Sequence, residues 1–130
     1  MKRPIISILI ILAILSALLS GCSSSVKANT DPGKVINTGV DKEFTIALGS
    51  NITTGYSWLP EFDASILSLS ETEYRAKDTT GKQIVGAGGT QYFHFKALKS
   101  GDTQVKFTYY RPWETPTAQD ETETFKINVR

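Results

Sequence analysis

From Val35 onward, hydrophobic residues recur at every second position. Phe44, Ile46 and Leu48 alternate with Thr45 and Ala47, and Phe93, Phe95 and Ala97 alternate with His94 and Lys96. Val105, Phe107 and Tyr109 are interleaved with Lys106 and Thr108, and Phe125, Ile127 and Val129 with Lys126 and Asn128. A period of two sends successive side chains to opposite faces, so each run predicts a strand with one face on a core and the other in water. Tyr56 and Trp58 open a further strand predicted to stop at Pro60, and Ile66 to Tyr74 supplies one or two more. Turn signals at Gly49-Ser50, Thr80-Gly81 and Ser100-Gly101-Asp102 separate the runs. No stretch of this region carries a helical stripe. Many short strands joined by turns predict an all-β fold, an immunoglobulin-like antiparallel β-sandwich, with a barrel as the alternative.

The start of the chain follows another pattern. Met1-Lys2-Arg3 is basic, and Ile5 to Leu19 is apolar apart from Ser7 and Ser16. This run is shorter than the roughly 20 apolar residues of a membrane span and suits the core of a secretory signal peptide. It ends in Leu19-Ser20-Gly21-Cys22, which resembles the lipobox of prokaryotic lipoproteins. Small residues before the cut admit a membrane peptidase, and the Cys22 thiol is the nucleophile that takes the lipid. The competing reading is an uncleaved anchor followed by a chance cysteine; the contiguous, correctly placed motif favours the lipobox. Residues 1–21 are therefore expected to be a lipoprotein signal peptide. The protein is expected to be exported and held on the bilayer of the cell envelope, on its periplasmic or extracellular face, through lipidated Cys22. Residues 22–34, polar and broken by Pro32-Gly33, read as a flexible tether. Residues 35–130 are enough for one domain with a single core.

Charge and cysteine count narrow the function. Cys22 is the sole cysteine, so no intramolecular disulfide can form and the domain must stand on packing alone. Of 14 Lys and Arg, loss of Lys2 and Arg3 leaves 12 against 13 Asp and Glu. A net charge of −1 with no basic cluster gives no footprint for nucleic acid. A lipidated cysteine and one histidine, His94, exclude thiol- and histidine-dependent triads. His94 lies between Phe93 and Phe95 and is expected on the sandwich exterior. Asp120, Glu121 and Glu123 read as a solvated entry to the last strand rather than a calcium site. Asn51-Ile52-Thr53 fits a glycosylation acceptor, a match read as incidental. No enzyme activity, metal or cofactor is expected.

Three loop segments stand out instead: Asn51-Ile52-Thr53-Thr54-Gly55-Tyr56, Gly86-Ala87-Gly88-Gly89-Thr90 and Tyr110-Arg111-Pro112-Trp113. None contains the usual nucleophile, base or metal ligand. Each adjoins a strand run, and they are spaced by about one strand pair, as expected for loops sharing one end of a sandwich. Thr53 and Thr54 are stiff at χ1, and Gly55 lets the backbone turn tightly. Glycines 86, 88 and 89 permit close backbone approach to a partner. Pro112 fixes its own φ and biases Arg111 toward extended geometry, presenting Trp113 as an anchor. Trp58, in phase with Tyr56, is assigned to the core. Each segment alone is also what an ordinary turn looks like; the ordered set of three points to a binding surface.

At these residues the chain resembles the chagasin-type inhibitors of papain-like cysteine proteases. The similarity runs through Ser57-Trp58, Tyr92-Phe93-His94-Phe95 and Thr108-Tyr109-Tyr110, and covers nearly all of 35–130. The resemblance implies an immunoglobulin-like fold, a papain-like cysteine protease as partner, and a monomer whose three loops fill the protease cleft reversibly. It implies that Thr53, Thr54 and Gly55 sit over the catalytic cysteine and histidine, the threonine hydroxyls bonding to that dyad without offering a scissile carbonyl. It further implies that Gly86 to Thr90 runs along the substrate groove and that Arg111-Pro112-Trp113 packs on the other side of the cleft. One position departs from the family pattern: proline usually follows the asparagine, and here Ile52 stands there. The reading from another class is a surface adhesion or glycan-binding module, with Trp113 and Tyr110 stacking on sugar rings.

Overall fold

The computed structural model describes residues 27–81 and 86–130. The expected signal peptide, Cys22 and the start of the expected tether lie outside the described residues.

The alternating runs become strands: β1 (Ala28–Asn29), β2 (Ile36–Thr38), β3 (Glu43–Ser50), β4 (Ser57–Phe62), β5 (Leu67–Ala76), β6 (Gly89–Ala97), β7 (Gly101–Tyr110) and β8 (Glu121–Val129). They form two four-stranded sheets, one ordered β1-β3-β6-β5 and the other β2-β8-β7-β4. The inward positions are those the period selects. Ile46, Leu67, Phe93, Phe95, Val105, Phe107, Phe125 and Ile127 are buried between the sheets. Aromatic rings bridge the layers: Phe93 lies 4.7 Å from Phe107, and Phe62 meets Phe95 edge-on at 5.2 Å. Such contacts add to the stabilisation of burial itself.

Four departures from the sequence reading have physical causes. The sandwich is not purely antiparallel, because β1 pairs parallel to β3 and β2 parallel to β8. The N-terminal segment runs along the edge of one sheet and then crosses to the edge of the other. Part of the expected tether is thereby structured: Ala28 and Asn29 pair with Thr45 and Ile46, and Asn29 Nδ2 donates to the Thr45 carbonyl at 2.9 Å. Second, β4 continues through Pro60 to Phe62. It is an edge strand, where a residue lacking an N–H is tolerated. Third, Gly49-Ser50 is strand rather than turn, paired with Thr90 and Gly89, and Gly101-Asp102 likewise opens β7. Fourth, Thr45 and Ala47 are buried although they face outward. They are small residues on a strand flanked on both sides, with His94 and Tyr92 directly opposite. His94 lies on that outer face as expected, its Nδ1 2.9 Å from the Thr45 hydroxyl.

Strands β3, β5 and β7 run toward one pole and β4, β6 and β8 return from it, as the antiparallel registers require. The connections 51–56 and 111–120, and the described ends 77–81 and 86–88 of the connection between β5 and β6, therefore share that pole, and the turns 39–42, 63–66 and 98–100 share the other.

Candidate functional site

The first loop leaves β3 as a short 3-10 turn, Ile52–Thr54, organised by Asn51. Asn51 Oδ1 accepts from the Thr53 amide at 3.3 Å and from the Thr53 hydroxyl at 2.5 Å, while its carbonyl accepts from the Thr54 amide and hydroxyl. An asparagine capping a tight turn satisfies donors that the turn itself leaves open. The turn ends at Gly55, whose φ of +82° lies in the left-handed region where a side chain is costly.

Asn51 also ties this loop to its surroundings. Its side-chain Nδ2 donates to the Gly86 carbonyl at 3.2 Å, and its backbone amide donates to the Tyr109 hydroxyl at 2.9 Å. The second loop is thus held against the first. Its neck is closed where the Lys77 amide donates to the Gly88 carbonyl at 3.0 Å. Gly86 and Gly88 both have positive φ. Gly89 and Thr90 belong to β6, so the segment from Gly86 to Thr90 is half loop and half strand. Beside it, on the outer face, Arg75 bonds Glu73 at 2.7 Å and lies over the Tyr92 ring at 4.7 Å. That bond holds the Glu73 carboxyl below its usual range and raises the Arg75 guanidinium.

The third loop begins with a β-turn, Arg111-Pro112-Trp113-Glu114, closed by the Glu114 amide donating to the Arg111 carbonyl at 2.9 Å. Pro112 occupies the second position, where its fixed φ is already correct. Trp113 follows and is 73% exposed. Its indole edge lies over Gly55: a Cβ built on that glycine would stand 2.6 Å from Trp113 Cη2. Arg111 spans the same gap. Its Nε donates to the Thr54 carbonyl at 3.3 Å, and its guanidinium carbon lies 4.8 Å from the Tyr56 ring centroid.

Beneath the loops is a support that the sequence reading missed in part. Arg111, Tyr56, Tyr109 and Trp58 form a continuous stack, with ring centroids 5.4 Å apart for Tyr56–Tyr109 and 4.8 Å for Trp58–Tyr109. Trp58 is core, as expected. Its Nε1 donates to the Gly49 carbonyl at 2.7 Å, and its amide donates to Gln91 Oε1 at 2.9 Å. Gln91 in turn donates to the Ser57 hydroxyl at 2.9 Å. The signal for Gln91 was present in the sequence: it is the one polar residue in the inward phase 91, 93, 95, 97. A buried amide there must find partners, and it finds them across the sandwich.

All thirteen residues singled out as the binding surface therefore sit at one pole: Asn51, Thr53, Thr54, Gly55 and Tyr56 centrally, Gly86 to Thr90 on one flank, Arg111, Pro112 and Trp113 on the other. Asn51, Tyr56 and Arg111 are bonded or stacked among themselves and their neighbours, and their geometry is that of struts. Thr53, Thr54 and Trp113 are exposed. Among the described residues no group of three His, Cys, Asp or Glu could hold a metal ion.

Two sheets in immunoglobulin-like arrangement, with a tied crest of three loops, define a class of small β-sandwich inhibitors. Residues 37–129 match the chagasin family of peptidase inhibitors, I42, and the chain belongs to that family. It is 35% identical to amoebiasin-1 of Entamoeba histolytica over 107 residues, 82% of this chain and 99% of that protein. It is 32% identical to chagasin of Trypanosoma cruzi, across 75% of this chain and 90% of chagasin. Among solved structures it resembles a cysteine protease inhibitor from Entamoeba histolytica, with a TM-score of 0.68 and 27% identity over 81% of this chain and 96% of that one. These relatives are inhibitors, not enzymes, and membership of their family places this chain with them rather than with adhesion or glycan-binding modules.

Ile52 is the family departure, and it opens the 3-10 turn with its side chain 43% exposed. The turn's hydrogen bonds use the amides of Thr53, Thr54 and Gly55, not that of Ile52. Proline suits such a first position, and Asn51, at φ −126° and ψ 86°, lies outside the α region that a following proline disfavours. Ile52→Pro is expected to stabilise the domain by about 0.4–1 kcal/mol and to tighten inhibition severalfold, since less loop ordering remains for binding. Melting temperature and inhibition constant check this together. Weaker inhibition with higher stability would show that the isoleucine side chain itself touches the target.

Proposed function

We propose that this protein inhibits papain-like cysteine proteases reversibly, as a monomer, by filling the active-site cleft with the three loops at one pole. The observation that carries this reading is that the loops are tied to one another before any partner arrives. Asn51 reaches Gly86, Arg111 reaches Thr54, and Trp113 lies over Gly55. Preorganised loops lose little freedom on binding, which leaves more of the contact energy as affinity. Thr53, Thr54 and Gly55 occupy the centre of the crest, where they would stand over the catalytic cysteine and histidine. The 3-10 turn there curls the backbone instead of laying it out extended like a substrate, so it offers no carbonyl in attack geometry. The Gly86–Thr90 segment would line the substrate groove and Trp113 the opposite wall.

The test is class selectivity. The soluble domain, residues 23–130, is expected to inhibit papain competitively and reversibly and to leave chymotrypsin-like serine proteases active. Equal inhibition of both classes, or none at stoichiometric excess over micromolar papain, refutes the reading. A glycan array run in parallel addresses the adhesion alternative.

The lipobox supports a second part of the proposal: export, cleavage before Cys22 and attachment to the bilayer by a lipid on its sulfur. Each buried CH₂ of such a chain adds about 0.8 kcal/mol of membrane affinity. Cys22→Ser is expected to abolish incorporation of a labelled fatty-acid analogue and to leave the protein unprocessed or released. Equal labelling of the two forms removes the lipoprotein claim.

A further inference from the structure

The pairing of β1 fixes where an N-terminal anchor must leave the domain. Ala28 and Asn29 lie against Thr45 and Ile46 and run parallel to β3, toward the loop pole. The chain therefore enters from the opposite pole, at the level of Phe44. The five steps from Cys22 to Lys27 reach at most about 18 Å even if fully extended. From Phe44, β3 continues through Ser50 before the first loop begins, a further distance of about 20 Å at the usual strand rise. A lipid on Cys22 cannot pass the loops and bring them down to the bilayer.

The pole it can reach carries exposed apolar side chains among balanced charges. The turns 39–42, 63–66 and 98–100 meet there: the Asp41 amide donates to the Ala97 carbonyl, and the Leu98 amide donates to the Ile66 carbonyl, both at 2.8 Å. Val40 and Leu98 are exposed, at 39% and 42%, and each has a lysine close by in sequence, Lys42 and Lys99. Asp41 and Asp63 lie in the same turns and balance the two lysines, so this pole has no net positive charge, and its fit to an interface rests on the exposed apolar side chains and the lysine stems.

We infer that the 39–42, 63–66 and 98–100 pole rests on the bilayer and the three loops point away from it. The inhibitor then serves proteases in the aqueous phase or on a facing surface, not proteases lying on its own leaflet. This rests on the lipid anchor proposed above. Because Cys22 is the only cysteine and would carry the lipid, a newly introduced cysteine is the only free thiol. Leu98→Cys and Ile52→Cys, each in the lipidated full chain, would be labelled with a fluorophore and reconstituted in vesicles containing spin-labelled lipid. Quenching several times stronger at 98 than at 52 is expected, and the lipidated chain with neither substitution nor label is expected to inhibit soluble papain with the same constant as the unlipidated domain. Equal quenching, or stronger quenching at 52, overturns the orientation. So does inhibition weakened more than tenfold on vesicles. Protein that fails to float with the vesicles at all refutes the lipid anchor as well, and is distinguished from a wrong orientation by that flotation.

Discussion

Trp113→Ala is expected to weaken inhibition by about 2 kcal/mol or more, roughly 30-fold in the inhibition constant, while leaving the melting temperature nearly unchanged. The indole is 73% exposed, so little of its area contributes to folding. Its edge lies over Gly55, which has no side chain to lose contact with. A large exposed aromatic held in place at both ends, by the Pro112 turn and by Gly55, has already given up most of its freedom. Its binding energy is then spent on the partner rather than on ordering itself. A large fall in melting temperature with unchanged inhibition would place Trp113 with the core.

Gly55→Val is expected to be more damaging to inhibition, about a hundredfold or more in the inhibition constant, or about 2.7 kcal/mol. Two effects coincide. At φ +82° a β-branched residue is strained, at a cost of about 1–2 kcal/mol or more. Its Cβ would also stand 2.6 Å from Trp113 Cη2, so the indole must swing away. The turn at the centre of the crest and the anchor on its flank are disturbed together. The core from Trp58 downward does not touch Gly55's missing side chain and keeps its packing, so a folded protein with a modestly lower melting temperature is expected. Retained inhibition would mean that neither the turn nor the indole position contributes to binding. Measuring Trp113→Ala, Gly55→Val and the double variant separates the shared part: non-additive losses are expected because the residues are in contact.

Most of the fold was legible because a strand declares its faces. The inward phases 44-46-48, 93-95-97, 105-107 and 125-127-129 are the core. Where the reading slipped, the deciding fact was a neighbour. Pro60 stops a central strand but not the edge strand β4, and edge or centre is a property of the sheet. Gly49-Ser50 has the composition of a turn, yet in register with Gly89 and Thr90 it extends the ladder. Ala28 and Asn29 carry no strand signal of their own. They pair because β3 offers an open edge, and the turn at Pro32-Gly33 lets the chain cross to the other sheet.

The sequence by itself determined which residues face inward, that the chain is all-β with one core, and which three loops have special composition. Period, glycine, proline and aromatic content are local, and local chemistry sets them. Only the tertiary structure decided what those loops do to one another. That Asn51 is a hub, that Arg111 braces Thr54 and Tyr56, and that Trp113 needs Gly55 bare are contacts between residues 35 to 58 positions apart. Such contacts exist because two sheets packed face to face bring three turns to one pole, and no window of sequence contains both partners.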